Sequence, residues 1–389
     1  MSRRIAVIGG VLAALAAPSA AAAACPTAPL NPHVLTGFEH GRASFSNGNL
    51  LQSGNTLVTT TAARNGSYGV RVNAAGAPAN QWTMWSIYQG EGVVRFAFRL
   101  NSLPAGNVNE LFRMDTYSKS AARIGYDAST QSLTMRLNAS TGGSTTVAGP
   151  AVTAGGWHVV DVWYSTYGSH WADWSVDGVA QTRAVVAGSP ETLYNVRFGT
   201  TFADSFSASY DDVLISASGA DYPVGDGAIH VLKPNGSSAT SSALRDNDGT
   251  LVDALSWTRL DEIPATSTTD FIQQTSASST AHATISFEDT AALCARAVRG
   301  YMTTHSAATN GANSVKLSLF DGARESVIRA GDWGANHTRS RDYSATALPA
   351  ADWSQAALNG LVAKFGFATD VKPTPILDGV LVEYEVPAP

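Results

Sequence analysis

The 389-residue sequence is poor in cysteine and in charge, and it has no long apolar run beyond its first residues. Two cysteines, Cys25 and Cys294, are too few for a disulfide framework or a cysteine-rich zinc site. Charged residues make up 14%, against the roughly 25% usual in globular domains; Ser, Thr, Ala and Gly fill the difference, as in many secreted β-proteins. A formal net charge of −6 argues against a general nucleic-acid binder. No stretch after residue 24 reaches the length of a transmembrane helix. The HExxH, Gly-x-Ser-x-Gly and phosphate-loop patterns are missing. "DNDG" at 246–249 opens like a calcium loop, but no Glu stands where that loop needs its last ligand.

The N-terminus has the form of a targeting segment. Arg3 and Arg4 precede the apolar stretch Ile5 to Ala17, and Ala22-Ala23-Ala24 before Cys25 offers a cleavage site. Residues 1–24 are therefore expected to be a signal peptide and the mature chain to be secreted. Ala6 and Val7 stand where a twin-arginine signal wants bulky residues, which favours general secretion. Cys25 leaves two options open. Lipid anchoring is disfavoured, because Ala22 replaces the Leu of a lipoprotein signal; a disulfide with Cys294 would tie the N-terminus to the second half.

From Val34 to Ile215 the dominant signal is alternation with period two, the mark of half-buried strands. "VVRFAFRL" turns Val94, Phe96, Phe98 and Leu100 one way and Arg95 and Arg99 the other. "ELFRMDT" does the same with Phe112 and Met114 against Arg113 and Asp115, "ARIGYD" with Ile124 and Tyr126 against Arg123, and "SLTMRLN" with Met135 against Arg136. Asp177-Gly178 in "WSVDGVAQTR" is a favoured tight-turn pair. Many short alternating strands predict a sandwich or barrel. "DYPVGDG" at 221–227 breaks the pattern. The expected organisation is a first β-domain over 25–218, a linker over 219–228 and a second β-rich domain over 229–389. Residues 235–249 read as a mobile loop. Within "DWSQAALNGLVAKF" a four-residue recurrence of Trp353, Ala357, Leu361 and Phe365, with Asp352 as a cap, predicts one helix. The first domain is expected to fold alone.

"GFEHG" (37–41), "SYGVRV" (67–72), "GGWHVVDVWY" (155–164), "WSVDG" (174–178) and "YDDVLIS" (210–216) together resemble the laminin-G-like, concanavalin A-like jelly roll over about residues 34–217. The second half is similar to modules that trail such jelly rolls in phage-type structural and bacterial secreted proteins, on "YPVGDGAIHVLKPNG" and "DEIPATSTTDFI". The resemblance implies an all-β fold, a concanavalin A-like jelly-roll sandwich followed by a second β-sandwich. It also implies that the last strand of the jelly roll returns beside the first. It says little about activity, since lectins, adhesins and glycan-active enzymes share this sandwich.

Related jelly rolls often hold a structural calcium. If the first and last strands pair, Glu39 approaches Asp211 and Asp212, a set of hard oxygen ligands suited to Ca²⁺. The alternative is that these carboxylates serve backbone donors or an arginine. Alternation lets at most one of Asp211 and Asp212 point to a given side. The glucanase pattern Glu-x-Asp-x-x-Glu is missing. Tyr117 and Lys119 match half of an alginate-lyase pattern, but no Gln-x-His strand partners them.

Binding signals are stronger than catalytic ones. Arg95, Arg99, Arg113, Arg123 and Arg136 all alternate away from the core, and their forks suit carboxylate or sulfate groups. Trp82, Trp85 and Trp171 sit outside clean strands, where a flat ring can stack on a sugar. The leading expectation is a secreted, non-enzymatic protein that binds a polysaccharide or cell-surface glycan, with an acidic glycan favoured. A concanavalin A-like hydrolase or lyase is one alternative, and a purely structural or adhesive scaffold is the other.

Overall fold

The computed structural model describes residues 30–41, 50–52, 56–76, 80–85, 88–116, 120–139, 142–241, 243–262, 270–275, 281–306, 314–332, 341–348, 352–367 and 375–388. The expected signal peptide, Cys25 and with it the expected Cys25–Cys294 pairing, and Tyr117 and Lys119 lie outside these residues. Cys294 is buried. Among the described residues no helix is long and apolar enough to cross a membrane.

The first half folds into two antiparallel sheets. Seven strands form one sheet, in the order Ser144–Ala151, Ser132–Asn138, Ser120–Asp127, Val108–Thr116, Leu193–Thr200, Asn80–Trp85 and Leu50–Gln52. The other has nine strands and is centred on Trp157–Ser165, Glu91–Leu100 and Ser205–Ser216. The alternation read from the sequence decides what lies between them. Phe96 of one sheet meets Phe112 and Phe198 of the other, stacked on Phe112 at 4.8 Å and edge-on to Phe198 at 5.1 Å. The Tyr210 hydroxyl crosses this core to donate to the Leu111 carbonyl at 2.8 Å. The last strand does return beside the first: Val34–Thr36 pairs antiparallel with Val213–Ile215. Asp177 and Gly178 both have positive φ, as the tight turn requires.

The second half is also an all-β sandwich, with a six-stranded sheet built on Ala297–Ser306 and Pro375–Pro387 and a five-stranded sheet. Leu244, Ile285, Leu317, Phe365 and Val382 fill its core. Two local expectations fail here. The 352–365 segment is not one helix. Trp353–Ser354 is a short strand, Gln355–Asn359 is the helix, and Val362–Phe367 returns to the sheet. Ser354, not Asp352, caps the helix by accepting from Ala357 N. Gly360 ends it, and the β-branched and aromatic residues that follow prefer the pleated surface. Segment 235–249 is not a plain loop either; Pro234–Ala239 and Leu244–Asp246 are strands within it.

A third apolar cluster joins the halves: Leu35, Val93 and Leu214 from the first pack against Val224, Ile229 and Ala297. Tyr301 and Leu381 of the second half reach the first half's own core. The outer face of the nine-stranded sheet is thus covered around Val93, Arg95 and Leu214. The outer face of the seven-stranded sheet is not part of this joint.

Candidate functional site: an arginine row on the open sheet

Strand register brings part of the expected arginine stripe together. Arg113 stands opposite Arg123 on one side and Arg197 on the other, and Arg123 stands opposite Arg136. Four arginines therefore cross four adjacent strands of the seven-stranded sheet in the order Arg136, Arg123, Arg113, Arg197. Register partners share a face, and the neighbours Phe112, Met114, Ile124, Met135 and Phe198 are all in the core, so the row faces outward.

Like charges directly opposite each other are unfavourable. At one end of the row carboxylates relieve this. Asp115 lies 2.9 Å from both Arg113 and Arg197. Glu110 lies 3.3 Å from Arg113 and accepts from the Thr201 hydroxyl at 3.0 Å, while Arg113 donates to that same hydroxyl at 2.8 Å. Burial pushes the carboxyls of Glu110 and Asp115 above their ordinary range, against the pull of Arg113. The other end has no direct ion pair, although the Glu110 and Asp204 charges lie near enough to act on Arg123. Arg123 rests 5.0 Å over the Phe202 ring, and Arg136 donates to the Asn138 side chain at 3.3 Å. Neither forms a salt bridge among the described residues. Burial, then Arg136 and Arg113, holds the Arg123 guanidinium below its ordinary pKa.

Arg95 and Arg99 do not belong to this face. Both point outward from the nine-stranded sheet, as alternation predicts. Arg95, however, is covered by the second half: it donates to the Gly227 carbonyl at 3.0 Å and pairs with Glu385 at 3.3 Å. Arg99 donates to the Thr61 carbonyl at 2.8 Å and lies 4.9 Å over the Trp157 ring. Arg197 was missed because Leu193–Thr200 was not read as a strand. The alternation Val196, Arg197, Phe198 was the available signal. Trp171 is on the nine-stranded sheet too, held edge-on to Trp163 at 4.7 Å with Arg183 4.6 Å over its ring. Trp82 and Trp85 lie in strand Asn80–Trp85, as the register partners of Phe198 and Asn195; the described side chains do not include theirs. Exposed Tyr88, with φ of 44°, stands edge-on to Tyr194 at 5.4 Å, just before Asn195, whose register partner is Asp115.

Glu39, Asp211 and Asp212 do converge, at the joint between the halves. A register shift after Asp211, with Asp212 at φ of 50°, breaks the alternation, so both aspartates are buried beside the same 64–65 segment. Asp211 accepts from the main-chain N–H of Arg64 at 2.6 Å, of Asn65 at 3.2 Å and of Asp212 at 2.7 Å. Glu39 accepts from Ser67 N and Tyr68 N at 2.8 and 3.0 Å. Asp212 takes Arg64 at 3.1 Å, Asn65 Nδ2 at 2.7 Å and, from the second half, Ile229 N at 2.8 Å. Burial raises the Glu39 carboxyl, and burial followed by the Asp212 charge raises Asp211 well above its ordinary value. Ca²⁺ needs six to eight oxygens turned toward it. Here the carboxylate oxygens face N–H donors and a guanidinium. Among the described residues no group of three His, Cys, Asp or Glu side chains is placed to hold a metal ion. The donor set does not fit calcium.

No family model matches the chain, and no curated protein matches it in sequence. Solved structures that share its β-sandwich character include an endo-β-1,4-glucuronan lyase from the fungus Trichoderma reesei, at 14% identity over 50% of this chain and 95% of that one, with a TM-score of 0.35. A cellulose-induced protein matches at 17% identity over 48% of this chain and 98% of that one, TM-score 0.37. The receptor-binding domain of botulinum neurotoxin type G matches at 8% identity over 81% of each chain, TM-score 0.39. At these scores the likenesses carry no argument about what this chain does.

Proposed function

We propose that this chain is a secreted binding protein that holds an acidic polysaccharide across the outer face of its seven-stranded sheet. The observation that carries this reading is the end of the arginine row that forms no ion pair. Arg123 and Arg136 sit side by side on adjacent strands with no carboxylate paired to either among the described residues. Guanidinium forks in that position match carboxylate or sulfate groups bidentately. The paired end supports them: Asp115 and Glu110 hold Arg113 and Arg197 in place, so the row is set before a ligand arrives. Phe202 at one end of strand Leu193–Thr200, and the Tyr88–Tyr194 pair at the other, offer aromatic surface for the sugar rings.

The test is binding of polygalacturonate to the full chain and to the double variant Arg123→Ala/Arg136→Ala, at low and moderate salt. The wild-type protein binds, its affinity falls with salt, and neutral dextran does not compete. The variant loses at least about tenfold in affinity, because two charge-assisted contacts are removed. Equal binding by both proteins overturns the reading. Release of unsaturated uronate ends from the polymer would instead make the chain a lyase, with Glu110 or Asp115 as the nearest base.

A further inference from the structure

The second half has a depression of about 190 Å³ on its five-stranded sheet, lined by His282, Lys316, Ser318, Glu325, Lys364 and Gly366. Three neighbouring strands build it: His282–Phe287, Val362–Phe367 and Ser314–Phe320. In each, one set of alternate residues is core: Ala283 and Ile285, Ala363 and Phe365, Leu317 and Leu319. The other set, which holds His282, Lys364 and Lys316, therefore faces away from it.

Register explains the hollow. Gly366 stands opposite His282 on one side and Lys316 on the other. A Cβ at Gly366 would lie 2.4 Å from the Ala281 carbonyl oxygen, so this position must stay bare. Long side chains then rise around a floor that has none. Lys364, two residues earlier on the same strand, is on the same face, opposite Thr284 and Ser318.

The rim is predominantly cationic. Lys316 pairs with Glu325 at 2.8 Å, and Glu325 also accepts from the Ser318 hydroxyl at 2.6 Å. Lys316, then Ser318, holds the Glu325 carboxyl below its ordinary range. Lys364 is placed differently. Its ammonium sits 4.0 Å over the Phe320 ring and forms no salt bridge among the described residues.

We propose that this depression is a second anion-binding subsite, which takes a carboxylate or sulfate group carried on a hydroxyl-rich ligand. Lys364 and Lys316 supply compact positive charge around the bare position at Gly366. Glu325, exposed beside them, can meet a hydroxyl group, and the buried Ser318 hydroxyl holds that carboxylate in place from behind. The subsite shares no residue with the arginine row and rests on that reading only for the choice of probe.

The experiment uses the full chain carrying Arg123→Ala/Arg136→Ala, titrated at low salt with a galacturonic acid tetramer and, separately, with dextran sulfate. Salt-sensitive binding remains to at least one probe. Adding Lys316→Ala/Lys364→Ala weakens it at least about tenfold, with the unfolding midpoint unchanged. Lys364→Glu, which reverses the charge without touching the Glu325 pair, gives a comparable loss. The proposal is overturned if the starting variant binds neither probe, or if the lysine substitutions leave binding as it was. Failure of the arginine-row reading looks different: Arg123→Ala/Arg136→Ala then binds polygalacturonate as the wild-type protein does, while the lysine variants still report on the subsite.

Discussion

Arg95 and Glu385 form an ion pair across the joint between the two halves, 3.3 Å apart, with both side chains fully buried. Arg296 grips both oxygens of the same carboxylate, sharing Oε1 with Arg95, and also donates to the Val224 carbonyl. Removing one partner of a buried pair leaves a charge without compensation, at a cost of about 3–5 kcal/mol. Arg95→Ala should fall near the lower end, because Arg296 remains. Urea unfolding measures the loss, and affinity for polygalacturonate should be unchanged. A variant of normal stability that no longer binds the polymer would return Arg95 to the ligand face.

The joint should also weaken in alkali. Burial raises the Glu383 carboxyl from an ordinary 4.5 to about 8, and it accepts from the Glu39 N–H at 2.9 Å. Burial raises Glu39 and Asp211 in the same direction. A group whose folded pKa is raised contributes stability that is complete below its unfolded value. That contribution is lost as pH rises through the folded value. The unfolding free energy should therefore decline from about pH 5 to about pH 9, and Glu383→Gln should flatten the decline. A wild-type slope retained in that variant would move the effect elsewhere.

The first half should not be self-sufficient. Cut after residue 218, it would expose Leu35, Val93 and Leu214, lose the Tyr301 hydroxyl that donates to the Leu35 carbonyl, uncover Arg95 and remove its partners Gly227 and Glu385. Residues 25–218 with Cys25→Ser are expected to show a markedly lower unfolding midpoint than the full chain, or to aggregate through the uncovered sheet. A fragment as stable as the full protein would show that the joint adds nothing to the first core.

Calcium should have little to act on. With the oxygens of Glu39 and Asp211 on N–H donors and Arg64 against Asp212, the unfolding midpoint is expected to be the same in EDTA and in excess calcium. A rise with calcium, through preferential binding to the native state, would mean that a cation displaces those donors.

The sequence made strands legible wherever one face is buried, because the period of two is a direct imprint of the core. It placed Phe96, Phe112 and Tyr126 inside and Arg113, Arg123 and Arg136 outside. It could not say which sheet an outward residue belongs to, or what covers that sheet. Arg95 and Arg113 follow the same local pattern, yet one is sealed beneath the second half and the other lies on the outer face of the seven-stranded sheet, held by Glu110 and Asp115. Long-range register decides between them, and no local window contains it. The Asp211–Asp212 pair was misjudged for a related reason. One inserted residue at the bulge sends two consecutive side chains to the same loop, where strict alternation allows only one.

Sheet hydrogen bonding fixes the arginine row more firmly than a loop could. Neighbouring strands are spaced about 4.8 Å apart, so the guanidinium groups start from evenly set roots, like the teeth of a comb. Such a comb is sensitive to linear charge density. A polymer with an anionic group on every unit can engage neighbouring teeth in one alignment and slide by one unit into an equivalent one. A polymer charged only at long intervals meets one tooth at a time. Discrimination between two polyanions should then depend less on which sugar they contain than on how closely their charges follow one another.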